Sequence, residues 1–283
     1  MALEDWHTHN EMCHHAVGSI EDYLRQAVKS RLQTIGLSDH FPYEFLKNIE
    51  RIPFEEYAIT LPEIEGYLST AETFREKFKS NINVRIGFEV DFFKNQALAL
   101  NKHLTKVKNR LDYILGSIHI LNFRDGRGAW GFDDSRFRND FEYYGSQQVY
   151  INYYKKLQKM IRSEDFDFDI VGHIDLPKKF NDNPTKKEAV FDEVLKTLEL
   201  IKARDLTVEI NTGGLRKPCK EQYPSEKIIK EMYSLDIPIL LGSDAHKPKD
   251  IGYKFKKILK IIKKIGYNQL AHFDKRKRNF IEI

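Results

Sequence analysis

Histidines and acids placed at the ends of apolar runs constrain this chain more than any other feature. Seven of its ten histidines take part. The motifs are Trp6-His7-Thr8-His9, Ser38-Asp39-His40, Gly87-Phe88-Glu89, Gly116-Ser117-Ile118-His119, Gly172-His173-Ile174-Asp175 and Gly242-Ser243-Asp244-Ala245-His246, with His15 following His9 closely. Imidazoles and carboxylates are the ligands of first-row metals where thiolates are absent. One motif alone is weak evidence. His7 and His9, two apart on a strand, face one side, but a hydrogen-bonded core pair would do the same. Asp244 and His246 share that geometry. Glu89 is harder to place in a core, because a buried carboxylate needs compensation from a cap or a lysine. Six such motifs, each closing its own segment, point to one metal site assembled by the fold.

The segments are strand-like runs at residues 3–9, 34–38, 83–90, 113–119, 169–173, 206–211 and 237–243. Helical periodicity separates them. Tyr23, Leu24, Ala27 and Val28 follow a Ser19…Asp22 start signal, and Val149, Tyr153, Tyr154, Leu157, Met160 and Ile161 repeat alike. Val190, Val194, Leu198 and Ile201 follow a Thr185…Glu188 capping box, and Ile228, Ile229 and Met232 precede the last strand. Strands alternating with helices give a parallel sheet. The polar residues fall at the C-terminal strand ends, which converge on one face only in a closed barrel. An open sheet offers only its switch point. The expectation is an α/β, seven-stranded TIM-like barrel forming one domain over 1–283, with the metal site at the C-terminal ends of the strands. Connections 41–60 and 120–145 are long enough to act as lids or walls, or to be ordinary surface loops.

Composition narrows the class. A chain with 41% hydrophobic and 31% charged residues is globular rather than disordered. A formal charge of +4 is too small to argue for nucleic acid. Cys13 and Cys219 alone make neither a disulfide framework nor a thiolate zinc motif. The start Met1-Ala2-Leu3-Glu4-Asp5 shows no leader pattern, and no run approaches the roughly 20 apolar residues of a membrane span. A cytoplasmic enzyme without nucleic-acid or membrane partners is expected. Nothing in the residues speaks to oligomeric state. Cys13 is assigned to packing, His14 to an exposed position, and His103 and His272 to the surface. The basic stretch 254–264 reads as a final barrel helix, apolar inward, rather than a membrane-surface helix, and Arg276–Arg278 as solvated.

On these motifs the chain resembles the polymerase-and-histidinol-phosphatase superfamily, the PHP domains, over nearly its whole length and in the family's order. The resemblance implies a distorted seven-stranded β/α barrel holding two or three divalent ions, with zinc, iron and manganese equally suited to the ligands. It implies that His7, His9, Glu89 and Asp244 hold the first ion. Glu89 then bridges to a second held by His119 and His173, and His15, His40 and His246 hold the third. Glu89, Asp244 and His246 count as catalytic as well. Asn211-Thr212-Gly213-Gly214-Leu215-Arg216-Lys217, Lys178-Lys179-Phe180 and Tyr223-Pro224-Ser225 look like the histidinol-phosphatase branch. That branch implies hydrolysis of L-histidinol phosphate to L-histidinol and phosphate in histidine biosynthesis. The alternatives are another PHP phosphoesterase, acting on a small phosphomonoester, a phosphotyrosine protein or a nucleic-acid end, and a non-catalytic metal-binding barrel.

The chemistry fits phosphate. A metal-bound water with its pKa lowered to about 7 supplies hydroxide as nucleophile. Three divalent ions against two matched carboxylates leave a positive excess that favours a doubly negative ester. Arg216 is the expected phosphate clamp, because its fork of donors suits phosphoryl oxygens, with Arg127 and Arg136 as weaker candidates. Asp133, Asp134 or Glu44 would suit the substrate's ammonium and imidazole. The leaving-group proton has two candidate sources, a second metal-bound water and Asp175. Asp175 could equally orient a ligand histidine. Asp39 is expected to point away from His40 and cap the next segment.

Overall fold

A computed structural model describes residues 3–283; Met1 and Ala2, which begin the expected leaderless terminus and the expected domain, lie outside them. Seven parallel strands appear in the order β1 (Glu4–Asp5), β2 (Thr34–Leu37), β3 (Asn83–Asp91), β4 (Tyr113–Ser117), β7 (Ile170–Val171), β8 (Thr207–Asn211) and β9 (Ile239–Gly242). A small antiparallel hairpin, β5 (Ile120–Leu121) with β6 (Trp130–Gly131), lies in the connection after β4. The sheet closes on itself. Trp6 N donates to Leu241 O at 3.0 Å, Asp244 N to His7 O at 2.8 Å and His9 N to Ala245 O at 2.9 Å. All seven expected strands are present, and the barrel is distorted because β1 and β7 are only two residues long.

The strands are buried on both faces, as parallel strands under helices must be. Ile86, Phe88 and Val90 on β3 are fully enclosed. The lower interior is filled by Trp6, Tyr113, Leu115, Ile170 and Leu240. Glycine makes room for this layer. A Cβ on Gly36 would lie 2.2 Å from the Tyr113 hydroxyl, and one on Gly87 would lie 2.8 Å from its ring.

Helices fill the connections. They are α1 (Ile20–Lys29), α2 (Glu63–Phe78), α3 (Ala97–Leu104), α4 (Arg138–Tyr144), α5 (Ser146–Arg162), α6 (Lys187–Ala203), α7 (Glu226–Ser234) and α8 (Phe255–Ile265). Ser19 and Asp22 form the expected reciprocal capping box on α1, worth roughly 0.5–2 kcal/mol. The Thr185…Glu188 box does not form: α6 starts after Lys186 without a side-chain cap, and the nearest side-chain partner of Thr185 is Gln147. Helix α8 buries Phe255, Ile258, Leu259 and Ile262 and turns its lysines outward, each buried side chain contributing roughly 1.5–3 kcal/mol.

The sequence reading contains no C-terminal hairpin, yet β10 (Gln269–Asp274) and β11 (Lys277–Glu282) pair antiparallel and plug the lower mouth of the barrel. This corrects two surface assignments. Arg276 is not solvated; it holds Asp167 at 2.8 Å and also bonds Asp169, just before β7. Arg278 holds Asp205. His272 packs edge-on to Trp6 and lies 2.9 Å from Glu4. The alternating pattern of this hairpin is short and heavily charged, so its pairing depends on the acids at the strand starts, which are distant in sequence.

The two long connections are laced together above the upper mouth. Arg51 grips Asp140 through both terminal nitrogens, at 3.1 and 2.7 Å, and donates to Arg127 O at 3.0 Å. Arg136 reaches Glu56 at 2.6 Å, and the Tyr57 hydroxyl bonds Asp134.

Candidate metal centre

Each predicted ligand but His15, which lies in the loop before α1, is at or just past the C-terminal end of its strand, around a cavity of about 680 Å³ that includes His15, His40, Glu89, His119, His173, Asp244 and His246 in its wall. Glu89, reached by the long strand β3, is the centre. Its Oε2 lies 3.1 Å from His7 Nε2, 3.4 Å from His9 Nε2 and 3.2 Å from His40 Nδ1. Its Oε1 lies 2.7 Å from His173 Nε2 and 3.5 Å from His119 Nε2, and accepts from Ser117 Oγ at 2.6 Å. The two oxygens therefore face different histidines, three at Oε2 and two at Oε1. Asp244 Oδ1 completes the first group, 3.5 Å from His9 Nε2 and 3.9 Å from His7 Nε2. His15 Nε2 and His246 Nε2 meet at 2.9 Å, with the His15 and His40 rings 5.3 Å apart. His9 stacks between His40 and His246 at 4.5 and 4.4 Å, joining the first group to the third.

The donor set fits divalent ions. His7 and His9 bring Nε2 atoms to 3.0 Å, and His119 and His173 to 3.1 Å, separations suited to two ligands each about 2.0–2.1 Å from one ion. The Nδ1 atoms of His9, His40 and His173 are buried with no hydrogen-bond partner among the described residues. Cys13 and Asp39 also approach His9, but both are engaged elsewhere. Cys13 Sγ bonds Asn10 O at 3.1 Å, and Asp39 accepts from Asn10 N at 2.8 Å. Asp39 thus braces the turn after β1, rather than capping the segment that follows it.

Electrostatics keep four of the seven histidines neutral. Burial, reinforced by neighbouring imidazoles, pushes His9 and His246 down to about 3, so both stay neutral with lone pairs free. Burial also lowers His15 and His40. For Glu89 and Asp244 burial alone would raise the carboxyls, but His7 and the adjacent imidazoles override it and hold both well below the usual range. His119 is opposed by burial yet raised to about 10 by Asp91 and Glu89.

Two buried acids behind the cluster were not among the sequence candidates. Asp91 lies 2.8 Å from His119 Nδ1, accepts from His119 N at 2.9 Å and takes the Tyr43 hydroxyl. It sits two residues past Glu89 on one strand face, which was a readable signal. Glu209 on β8 lies 2.8 Å from His7 Nδ1 and accepts from His173 N at 2.8 Å. A lone acid inside Leu-Thr-Val-Glu-Ile-Asn was its only mark.

Arg216 stands on the cavity wall. Its Nη2 donates to Ser243 O and Asp244 O at 2.8 and 2.9 Å, while Nη1 is without a partner among the described residues. Lys179, paired with Asp133 at 2.8 Å, also lines the cavity. Arg136 lines it too but is engaged by Glu56 and Asp134. Arg127 lies over Tyr143 and is not part of the wall. Of the proposed rim acids, Asp133 and Asp134 line the cavity, whereas Glu44 accepts from Leu61 N instead. Asp175 pairs with Lys178 at 2.8 Å and accepts from Ser225 N at 3.2 Å, so it neither faces the cavity nor orients a ligand.

A TIM-like barrel with an imidazole–carboxylate cluster on its C-terminal face has the plan of a metal-dependent hydrolase. The PHP-domain profile matches residues 5–213, and the chain belongs to the PHP family. It is 31% identical over 266 residues to the "Probable histidinol-phosphatase" of Deinococcus radiodurans, covering 93% of this chain and 94% of that protein. It is 25% identical to the histidinol-phosphatase of Bacillus subtilis, covering 92% and 99%. A crystal structure from Listeria monocytogenes, named as a candidate histidinol phosphatase, superposes with a TM-score of 0.83 at 27% identity, over 90% of this chain and 99% of that one. The Lactococcus lactis histidinol phosphate phosphatase, solved with zinc, L-histidinol and phosphate, shares the fold at a TM-score of 0.80 and 20% identity, over 98% of each chain.

Proposed function

We propose that this chain is a metal-dependent histidinol-phosphatase, hydrolysing L-histidinol phosphate to L-histidinol and phosphate in histidine biosynthesis. In this reading residues 1–283 act as one domain in the cytoplasm. The observation that carries the chemistry is the convergence of the other eight ligand candidates around Glu89, with Arg216 on the same cavity wall. The substrate follows from relatives named histidinol-phosphatase that match along nearly their full length.

His7, His9, Glu89 and Asp244 would hold one divalent ion, Glu89, His119 and His173 a second, and His15, His40 and His246 a third, with zinc, iron or manganese as candidates. Ions bound there would activate water as the nucleophile and offset phosphoryl charge. Glu89, Asp244 and His246 act as catalytic residues by holding that cluster in register. Arg216, fixed to the end of β9 by two backbone carbonyls, would offer its guanidinium to a phosphoryl oxygen from the cavity wall. Lys179 adds positive charge on the same wall. The laced loops place Asp133, Asp134 and the Tyr57 ring on the cavity wall, acids and an aromatic face suited to the substrate's ammonium and imidazole. Among the described residues no helix is long and apolar enough to cross a membrane.

The test is phosphate release from L-histidinol phosphate by metal-loaded protein, before and after chelation. Turnover that stops with the chelator and returns with added metal supports the reading. Turnover indifferent to the chelator overturns it.

A further inference from the structure

Glu209 is a fully enclosed carboxylate on β8, two residues before the strand ends, and its two oxygens have different partners. Oε1 lies 2.8 Å from His7 Nδ1 on the first strand's extension, and Oε2 accepts the backbone N–H of His173 beyond β7 at 2.8 Å. His7 belongs to the first ligand group and His173 to the second. With the carboxylate accepting at both oxygens, His7 carries its ring proton on Nδ1, which leaves the Nε2 lone pair facing Glu89, 3.1 Å away. The surrounding backbone is shaped around this side chain. A Cβ on Gly242 would fall 1.8 Å from Glu209 Oε1 and 2.8 Å from His7 Cβ, so the glycine of the Gly242-Ser243-Asp244 motif is required by the acid behind it.

We infer that Glu209 is a positioning residue that fixes the tautomer and place of His7 while anchoring the backbone of His173, and so couples the first two metal sites. The inference rests on the proposed metal-centre reading. Glutamine cannot replace it fully. A carboxylate offers an acceptor on each oxygen, whereas an amide offers one acceptor and one donor, so either the His173 N–H faces the amide N–H or His7 must shift its proton to Nε2 and lose the lone pair there. Outer partners of ligand histidines typically set metal affinity by 10–100-fold.

The experiment compares wild type with Glu209→Gln and Glu209→Ala, titrating Zn²⁺ alone against a competing chelator. Unfolding temperatures of apo and loaded protein and the visible spectrum of the cobalt-loaded forms are recorded in parallel. The expected result is a 10–100-fold weaker affinity for the ions of the first two groups, with Glu209→Ala weaker than Glu209→Gln and an altered cobalt spectrum. Folded variants with wild-type affinity and spectrum would overturn the inference, even if their apo forms melt earlier. Wild type that binds no zinc would instead overturn the metal-centre reading itself. Should the variants not fold, histidine-selective ¹⁵N spectra of zinc-loaded wild type decide. A His7 proton on Nδ1 supports the inference, and one on Nε2 overturns it.

Discussion

Glu89 Oε1 lies 2.7 Å from His173 Nε2, while the other oxygen of the same carboxylate lies 3.1 Å from His7. One side chain thus spans the first two ligand groups. Glu89→Gln should bind at least one divalent ion fewer by elemental analysis. Its kcat/KM should fall by more than about 100-fold, beyond the usual cost of losing an outer partner. Full metal content with near-normal turnover would contradict the bridging role.

Arg216 separates substrate binding from metal binding. It shares the cavity wall with the cluster without belonging to it. Arg216→Lys keeps the charge and loses the fork, so kcat/KM should drop by roughly 10–100-fold, in line with about 1.5–3 kcal/mol for a charged hydrogen bond. Metal content should stay at the wild-type value. Loss of metal together with activity would instead assign Arg216 to holding β9.

Sequence and structure agree best where chemistry is local. Six of the seven strands ended in a histidine or acid motif, and the barrel brings those ends together, so Glu89, His7 and His173 were legible before any coordinates. The partners of these ligands were not. Glu209 reaches His7 across the barrel interior, and no spacing rule links residues so far apart in sequence. Arg276 looked like a surface charge because Asp167 and Asp169 approach it only after the C-terminal hairpin folds back under the barrel. The Thr185 cap failed for a competing local reason: the Gln147 side chain accepts the Lys186 N–H at 2.9 Å, so the chain enters α6 held from α5.

The laced loops should respond to Arg51→Ala. The Arg51–Asp140 pair is partly exposed, so the stability loss should stay near 1 kcal/mol or below. Loosening should show as faster limited proteolysis within residues 41–60 and 120–145, and as a raised KM with little change in kcat. Unchanged proteolysis would mean that the loops hold their place without this contact.

Lys156 gives a pH test away from the metal ligands. Burial lowers it from 10.5 to about 8, while its ammonium donates to Ile120 O at 2.6 Å. Between pH 8 and 10.5 the unfolded chain keeps a proton that the folded protein has released. Stability relative to Lys156→Met should therefore rise across that window, by up to about 3 kcal/mol. Below pH 8 the charged form carries the full burial cost, and the variant should be relatively more stable. Urea unfolding of both proteins at pH 7 and pH 10 checks the sign. A difference that does not change with pH would show that the lysine is not desolvated.

The most direct test of the account is kcat/KM for L-histidinol phosphate against a panel of other phosphomonoesters, measured on fully metal-loaded protein. The account predicts a preference of at least about 100-fold, the scale on which a few specific polar contacts discriminate. Slow turnover of comparable rate across the whole panel would contradict the histidinol phosphate assignment while leaving a phosphoesterase in place.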